Sequence, residues 1–493
     1  MPPLINAASV TNNVAWSVLS KTGTFGLKFV TVPILARILS PAEFGVVAVA
    51  LTVVQFLAMI GGAGLAASLV IQRDEDMQTV HSVFWANSLI SCLMALALYT
   101  WAGPLAALMG APDAAYLIEI MCLLVPIQLG GDVAYALLAR RMQFSKDALW
   151  SMISESLGAI AAVTVALMGW GVWALVIQLF VSAIIRLAGL FSVSRYFPRL
   201  IFSPRRVLAL SRFSLGVMGS EIANFITFQS PMIIIARALG LPEAGIYSAA
   251  NRFASIPNQI VLTGVMGVLF PAFSQMLDDR RRRSDALILS TQVTTVLLAP
   301  MMFGLWAVAE PAMLVIFGAG WAAGWPVLGL LAFSKAILTP CSTFIPYLKG
   351  VGRSDILFWS AFIRAAFTAA VLATVAMVGT LTDTMLALCF VNAVTLAGYS
   401  WAVFKVDGMP VLSGLYASCR PMLIALIMAV SVRFMLGHLA AQVPNAALQV
   451  LLGAAFGAVV YIGLLLLTER ALLAKLIKLA RARRTASPAG ETP

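Results

Sequence analysis

The residues most able to do chemistry are charged side chains inside long apolar runs: Lys21, Lys28, Asp132, Glu155, Arg186, Glu221, Arg252, Lys335 and Arg364. A charge at mid-bilayer costs at least about 2.5–3.5 kcal/mol, so each should face water or a partner. Asp132, Glu155, Arg186, Glu221 and Arg364 fall within about two or three turns of the cytoplasmic end of their runs, where snorkelling or structural pairing between lobes accounts for them. Lys21, Lys28, Arg252 and Lys335 lie deeper, and that deep set is basic. Lys28 follows Lys21 by two turns, about 20° out of phase, so the two stack on one helix face about 10 Å apart. Such a face should look into a cleft; the competing reading pairs each lysine with a neighbouring carboxylate. Arg grips oxyanions through a planar fork, whereas Lys offers a mobile point charge. Anion binding is therefore the chemistry to expect. Catalysis is not: His81 and His438 have no plausible partner, and no Walker-type glycine loop is present. The cysteines (Cys92, Cys122, Cys341, Cys389, Cys419) are scattered, without metal-ligand spacing.

The elements that must hold these charges are transmembrane helices. Hydrophobic residues make up 61% of the 493 and charged residues 11%, against roughly 25% charged in a soluble domain. Apolar runs of about 20 residues follow one another with short gaps, as a bilayer core of about 30 Å requires. They lack strand-like alternation, so helices rather than a barrel must span. The pattern predicts about fourteen spans, the first over 12–38 and the last over 446–468, in an all-α membrane protein. The gap "SRYFPRLIFSPRRVL" is the natural seam. It gives an N-lobe of helices 1–6 (1–193), a linker (194–208), a C-lobe of helices 7–12 (209–404), helices 13–14 (405–468) and a basic tail (469–493). The opening "MPPLINAASVTNN" has no basic n-region and does not read as a removable signal peptide.

Net charge is +12, but the basic residues sit in short connections, which argues against nucleic acid. With the N-terminus inside, the inner connections and tail collect most of them, among them Arg140, Arg141, Lys146, Arg195, Arg199, Arg205, Arg206 and Arg280 to Arg283. The outer side keeps Arg37, Arg237 and Arg433, an imbalance that follows the positive-inside rule and puts both termini in the cytoplasm. The tail "RALLAKLIKLARARR" reads as a basic amphipathic stretch for an anionic membrane surface.

The halves repeat. "LARILSPAEFGVVAVA" from Leu35 is matched two hundred residues later by "IARALGLPEAGIYSAA" from Ile235, with Ala36, Arg37, Leu39, Glu43, Gly45 and Ala50 recurring as Ala236, Arg237, Leu239, Glu243, Gly245 and Ala250. Six helices per half makes the repeat parallel, with a central cavity at the interface, which is transporter architecture. Arg37 and Arg237 should hold equivalent outer positions, each near its Glu43 or Glu243. The in-span prolines Pro33, Pro126, Pro231, Pro257, Pro300, Pro326 and Pro340 read as hinges or as static bends.

At "ARILSPAEFG" (from Ala36), "ALLARRMQF" (Ala136), "YSAANRFASIPNQI" (Tyr247), "FPAFSQ" (Phe270) and "FGAGWAAGWPVLGLLA" (Phe317) the chain resembles the polysaccharide flippases of the multidrug/oligosaccharidyl-lipid/polysaccharide exporter superfamily. The match is to the Wzx and exopolysaccharide branch rather than the drug-efflux branch. The resemblance implies a V-shaped, MATE-like pair of lobes and alternating access in the bacterial inner membrane. It implies an undecaprenyl-pyrophosphate-linked oligosaccharide as cargo, for exopolysaccharide, capsule or O-antigen synthesis. It also implies cations on the first and eighth helices. Placed on this chain, the cargo site is Lys21, Lys28 and Arg252, with Asn251, Asn258 and Gln259 as neutral donors for sugar hydroxyls. Lys335 and Arg364 extend the basic lining.

No metal or bound cofactor is expected, with a proton or Na+ gradient as the energy source. Membrane lipid is the surrounding partner, and polysaccharide polymerase and chain-length proteins are candidates for assembly. The alternative is a cation-coupled drug exporter of the same architecture. That function wants buried carboxylates, whereas a pyrophosphate wants buried cations, and the deep set is basic. Against Arg252 as a cargo ligand stands a purely structural pairing with Glu221.

Overall fold

The computed structural model describes residues 23, 26, 27, 30–62, 65–71, 76–274, 276, 279–406, 408, 411–439 and 442–470, with the side chains of 211–221 and 263–268 among those outside the description. Lys21, Lys28, the tail beyond 470 and the side chain of Glu221 are therefore outside it.

The expected spans from the second on have counterparts, and of the first, over 12–38, residues 23, 26, 27 and 30–38 are among those described. The N-lobe contains α1 (30–38), α2 (Pro41–Gly62), α3 (Leu65–Ile71), α4 (Met77–Leu108), the broken span α5 (Ala115–Met121), α6 (Leu124–Gly130) and α7 (Asp132–Arg140), then α8 (Phe144–Leu167) and α9 (Trp173–Ser194). The C-lobe contains α10 (Pro204–Ala238), α11 (Leu241–Ser274), α12 (Arg280–Ala307), α13 (Ala309–Phe317), the broken span α14 (Trp325–Leu338) and α15 (Phe344–Val351), then α16 (Ser354–Val378) and α17 (Leu381–Val406). Two further helices, α18 (Val411–Leu439) and α19 (Ala446–Thr468), pack on α12 and α13. Among the described residues eleven helices are long and apolar enough to cross a membrane; α1, α10 and α11 occupy the remaining places.

The ends are set by local chemistry. Ser40 and Glu43 form a reciprocal cap on α2: the Ser40 N–H donates to Glu43 Oε2 at 2.7 Å, and the Glu43 N–H to Ser40 Oγ at 3.4 Å. Thr380 and Asp383 repeat the device on α17 at 2.8 and 3.3 Å. The prolines divide by position. Pro126 stands just after the break between α5 and α6, and Pro340 lies in the 3-10 turn between α14 and α15. Pro231 and Pro300 sit inside continuous helices. Pro326 is in the first turn of α14, where its missing N–H has no partner to lose, so it starts a helix rather than bending a span.

The packing explains how two lobes become one molecule. The main core runs through both, from Leu35, Phe44 and Val47 to Ile235, Ala244 and Phe317. Toward the opposite ends of the helices it divides. One cluster gathers Leu69, Val80, Val83 and Tyr196 of the N-lobe side; another gathers Phe273, Phe344, Tyr347 and Phe404 of the C-lobe. The lobes thus share apolar burial at the end that carries the repeat and keep separate cores at the opposite end.

Candidate functional site

The junction at that end, which charge bias in the sequence predicts to be the outer one, is built from the repeat itself. Gly45 of α2 and Gly245 of α11 lie back to back: a Cβ at Gly45 would strike the Leu241 carbonyl, and one at Gly245 would strike that of Pro41 and lie 2.9 Å from the Gly45 nitrogen. Backbone cannot yield as a side chain can, so glycine is required at both crossing points. The two repeat arginines complete the junction. Arg37 Nη2 donates to the Val315 carbonyl at 2.7 Å, and Arg237 Nη1 donates to the Leu108 carbonyl. Each arginine therefore satisfies a carbonyl in the last turn of a helix from the opposite lobe, where orphan acceptors and the negative end of the dipole favour a cation. Glycines with positive φ, Gly318 at +89° and Gly110 at +70°, end those helices and turn the chain beside the two arginines. Trp321 Nε1 adds a bond to the Ala36 carbonyl at 2.7 Å, and its ring meets Phe44 edge-on at 5.2 Å. Arg37 and Arg237 hold matching places, but they reach across the lobes, while Glu43 caps its own helix.

Further along the same helices the interior is polar and charged. Arg252 is exposed, although α11 packs against α2, α10, α12, α14 and α15. Its neighbours Phe253 and Ala254 are buried, so Arg252 opens onto the space between elements rather than into the helix packing. Glu155 of α8 is close enough for its charge to act on the guanidinium. That attraction acts between the lobes, and it comes from a carboxylate that sequence reasoning placed near a helix end, as a snorkelling or interlobe group. Asn251 is half-buried and its carbonyl accepts from Ser255 Oγ at 2.6 Å. Asn258 is half-buried, with its Oδ1 buried and without a hydrogen-bond partner among the described residues. Gln259 is exposed. A buried amide oxygen without a donor costs about 1–3 kcal/mol, a reason to expect a ligand group or water there.

The other predicted cations form a second group. Lys335 of α14 and Arg364 of α16, both half-buried, lie near enough to repel one another. Arg364 sits over the Phe228 ring of α10 at 5.3 Å to its centroid. No carboxylate is recorded against either cation among the described residues. Two neighbouring cations with no acid beside them among the described residues are costly in a low-dielectric interior unless an anion visits. Asp147 and Arg186, by contrast, pair within the N-lobe at 3.2 Å. Between the lobes, Gln55 of α2 accepts from Gln229 of α10 at 3.2 Å, and Phe56 packs on Phe225 at 5.2 Å. Gln55 and Gln229, neutral and unremarkable in sequence, gave no signal of this contact. Among the described residues no group of three or more His, Cys, Asp or Glu could hold a metal ion.

Residues 34–326 match the family described as "Polysaccharide biosynthesis protein". The chain is 69% identical over 491 residues, 99% of each chain, to the succinoglycan biosynthesis transport protein ExoT of Rhizobium meliloti (strain 1021). It belongs to this polysaccharide biosynthesis family. A more distant relative is the lipopolysaccharide biosynthesis protein WzxC of Escherichia coli (strain K12), 25% identical over 349 residues and 70% of each chain. Among solved structures, the lipid II flippase MurJ in an inward closed conformation superposes with a TM-score of 0.76, covering 93% of this chain and 99% of that one at 16% identity. That likeness shows the fold: an all-α membrane protein of two parallel-repeat lobes. The family match spans the outer junction and Arg252 but stops before Lys335 and Arg364.

Proposed function

We propose that this protein is a transporter, not an enzyme, which flips an undecaprenyl-pyrophosphate-linked oligosaccharide repeat unit across the bacterial inner membrane by alternating access, for exopolysaccharide, capsule or O-antigen synthesis. The observation that carries the reading is the basic group within the spanning helices. Arg252 opens between the lobes; Lys335 and Arg364 lie near enough to repel one another, with no acid recorded beside them among the described residues. A pyrophosphate entering a low-dielectric space must exchange hydration for fixed donors, and arginine supplies them in a fork. The extensive identity to a protein named for succinoglycan transport supports a lipid-linked saccharide as the cargo class.

The site consists of Lys21, Lys28 and Arg252 at the pyrophosphate, Asn251, Asn258 and Gln259 at the sugars, and Lys335 and Arg364 along the C-lobe. Glu155 holds Arg252 in the empty state and yields it to the cargo. A proton or Na+ gradient drives the cycle. Both termini lie in the cytoplasm, and the polymerase and chain-length proteins of the same polymer are partners. The alternative, a cation-coupled exporter of small cationic drugs, is disfavoured by the same basic set.

The test is transport itself. Purified protein in vesicles, given a fluorescent polyprenyl-pyrophosphate oligosaccharide in one leaflet, should move it to the other. Movement of cationic dyes but not of this lipid would identify the drug exporter instead.

A further inference from the structure

The connection between α9 and α10 is an unusual object. Leu200 is 88% exposed, Phe197 77%, Leu208 74% and Phe202 53%. Large apolar side chains this open usually mark loose chain or a binding surface. Here the backbone is fixed. Arg195, in the left-handed region at φ 52°, ends α9 and turns the strand across the inner end of the N-lobe. Tyr196 is buried, stacked on His81 at 5.4 Å with its Oη 3.1 Å from His81 Nδ1. The Arg199 N–H donates to the same nitrogen at 3.2 Å, and Trp85 Nε1 donates to the Arg199 carbonyl at 2.7 Å. The Ser203 N–H donates to Ser82 Oγ at 3.0 Å. One side of the strap is thus tied to the first turns of α4, which forces the apolar side chains of the other side outward.

What lies outward is set by position and charge. Trp85 begins a stripe on α4 that continues at Leu89 and Leu93, 58% and 55% exposed, the face a spanning helix shows to lipid. The strap continues that stripe past the end of the helices. Interleaved with its apolar residues are exposed Arg195, Arg199 and Arg205, and 195–208 contains no acidic residue. Exposed Phe and Leu alternating with Arg at the level of helix ends fit the boundary between acyl chains and phosphate headgroups.

We propose that residues 195–208 form a binding surface for anionic phospholipid in the adjoining leaflet. Phe197, Leu200, Phe202 and Leu208 enter the boundary layer, and Arg195, Arg199 and Arg205 hold lipid phosphates. Because the strap is hydrogen-bonded to α4, the bound lipid fixes the depth of the N-lobe at the seam from which α10 leads into the C-lobe.

The test uses the full chain with Cys92 and Cys419, the two cysteines that are not buried, replaced by alanine. A nitroxide on Leu200→Cys reports depth as the ratio of oxygen to nickel-chelate accessibility; one on Val378→Cys, 91% exposed at the other end of the molecule, serves as control. In phosphatidylcholine vesicles containing phosphatidylglycerol, the Leu200 label should be oxygen-accessible and shielded from nickel. In phosphatidylcholine alone, or with Arg195→Gln, Arg199→Gln and Arg205→Gln together, the ratio should fall at least about fivefold, with the control unchanged. A label equally open to nickel in every vesicle would overturn the proposal and leave the surface to a protein partner. A label equally deep with and without phosphatidylglycerol would overturn the anion recognition.

Discussion

Helices α2 and α11 descend from the same half of the repeat, and they part ways along their length. At the end that carries the repeat their roles match, with Gly45 against Gly245, and the arginines just before them, Arg37 and Arg237, each reach a carbonyl of the other lobe. One turn or two further in, "LTVVQFLAMIGG" stands where the partner reads "NRFASIPNQIVL". Thr52, the counterpart of Arg252, is buried and spends its hydroxyl on the Ala48 carbonyl at 2.8 Å. Ala58 stands opposite Asn258. The difference has a physical reason. A seal between two lobes is made by both equally, so symmetry costs nothing there. A site for an asymmetric molecule, charged at one end and sugar-rich at the other, gains nothing from a second copy.

The sharpest way to break the symmetric end is Gly45→Leu or Gly245→Leu. The added side chain meets backbone of the other lobe, so the junction must separate. Export should fall by at least about tenfold, with outer-face cysteines placed beside Pro41 or Leu241 becoming reactive. Normal export with an unreactive junction would show that the lobes can seal without this crossing. A smaller loss is expected at the asymmetric end from Lys335→Met: severalfold lower export at unchanged membrane abundance, with Arg364→Met adding to it. If Lys335→Met instead raises export, its charge is a burden rather than a ligand. The smallest effects belong to Arg37→Ala and Arg237→Ala. Each removes one cross-lobe hydrogen bond worth about 1 kcal/mol, about fivefold in the closed-to-open ratio. Read by the reactivity of the same outer cysteines, the two should be equal within error and multiply in the double variant. A large effect from one and none from the other would end the claim that the outer end works symmetrically.

Much of the fold was legible because the bilayer imposes it. Apolar length and charge bias located the spans, and the repeat located the outer junction before any contact was visible. The bonds at that junction were not legible. Arg37 and Glu43 lie six residues apart, which suggested a local pair, whereas Val315 is reached only because the opposite lobe folds over it. Glu155 read as snorkelling or as pairing between lobes; that the group it acts on is Arg252 is a property of the fold, not of its distance from a helix end. The strap at 195–208 showed its basic bias in sequence, while its apolar exposure depends on hydrogen bonds to His81, Ser82 and Trp85. Lys21 and Lys28 remain expectations of spacing alone.

Arg252 is the residue on which the cargo site depends. Export of polymer, and flipping of the labelled lipid-linked oligosaccharide in vesicles, should be measured for Arg252→Ala and Arg252→Lys at matched membrane abundance. Arg252→Ala should abolish both, and Arg252→Lys should keep a measurable part, since a point charge replaces a fork. Normal transport by Arg252→Ala, or a loss that tracks only disappearance of the protein from the membrane, would contradict a pyrophosphate site at this residue.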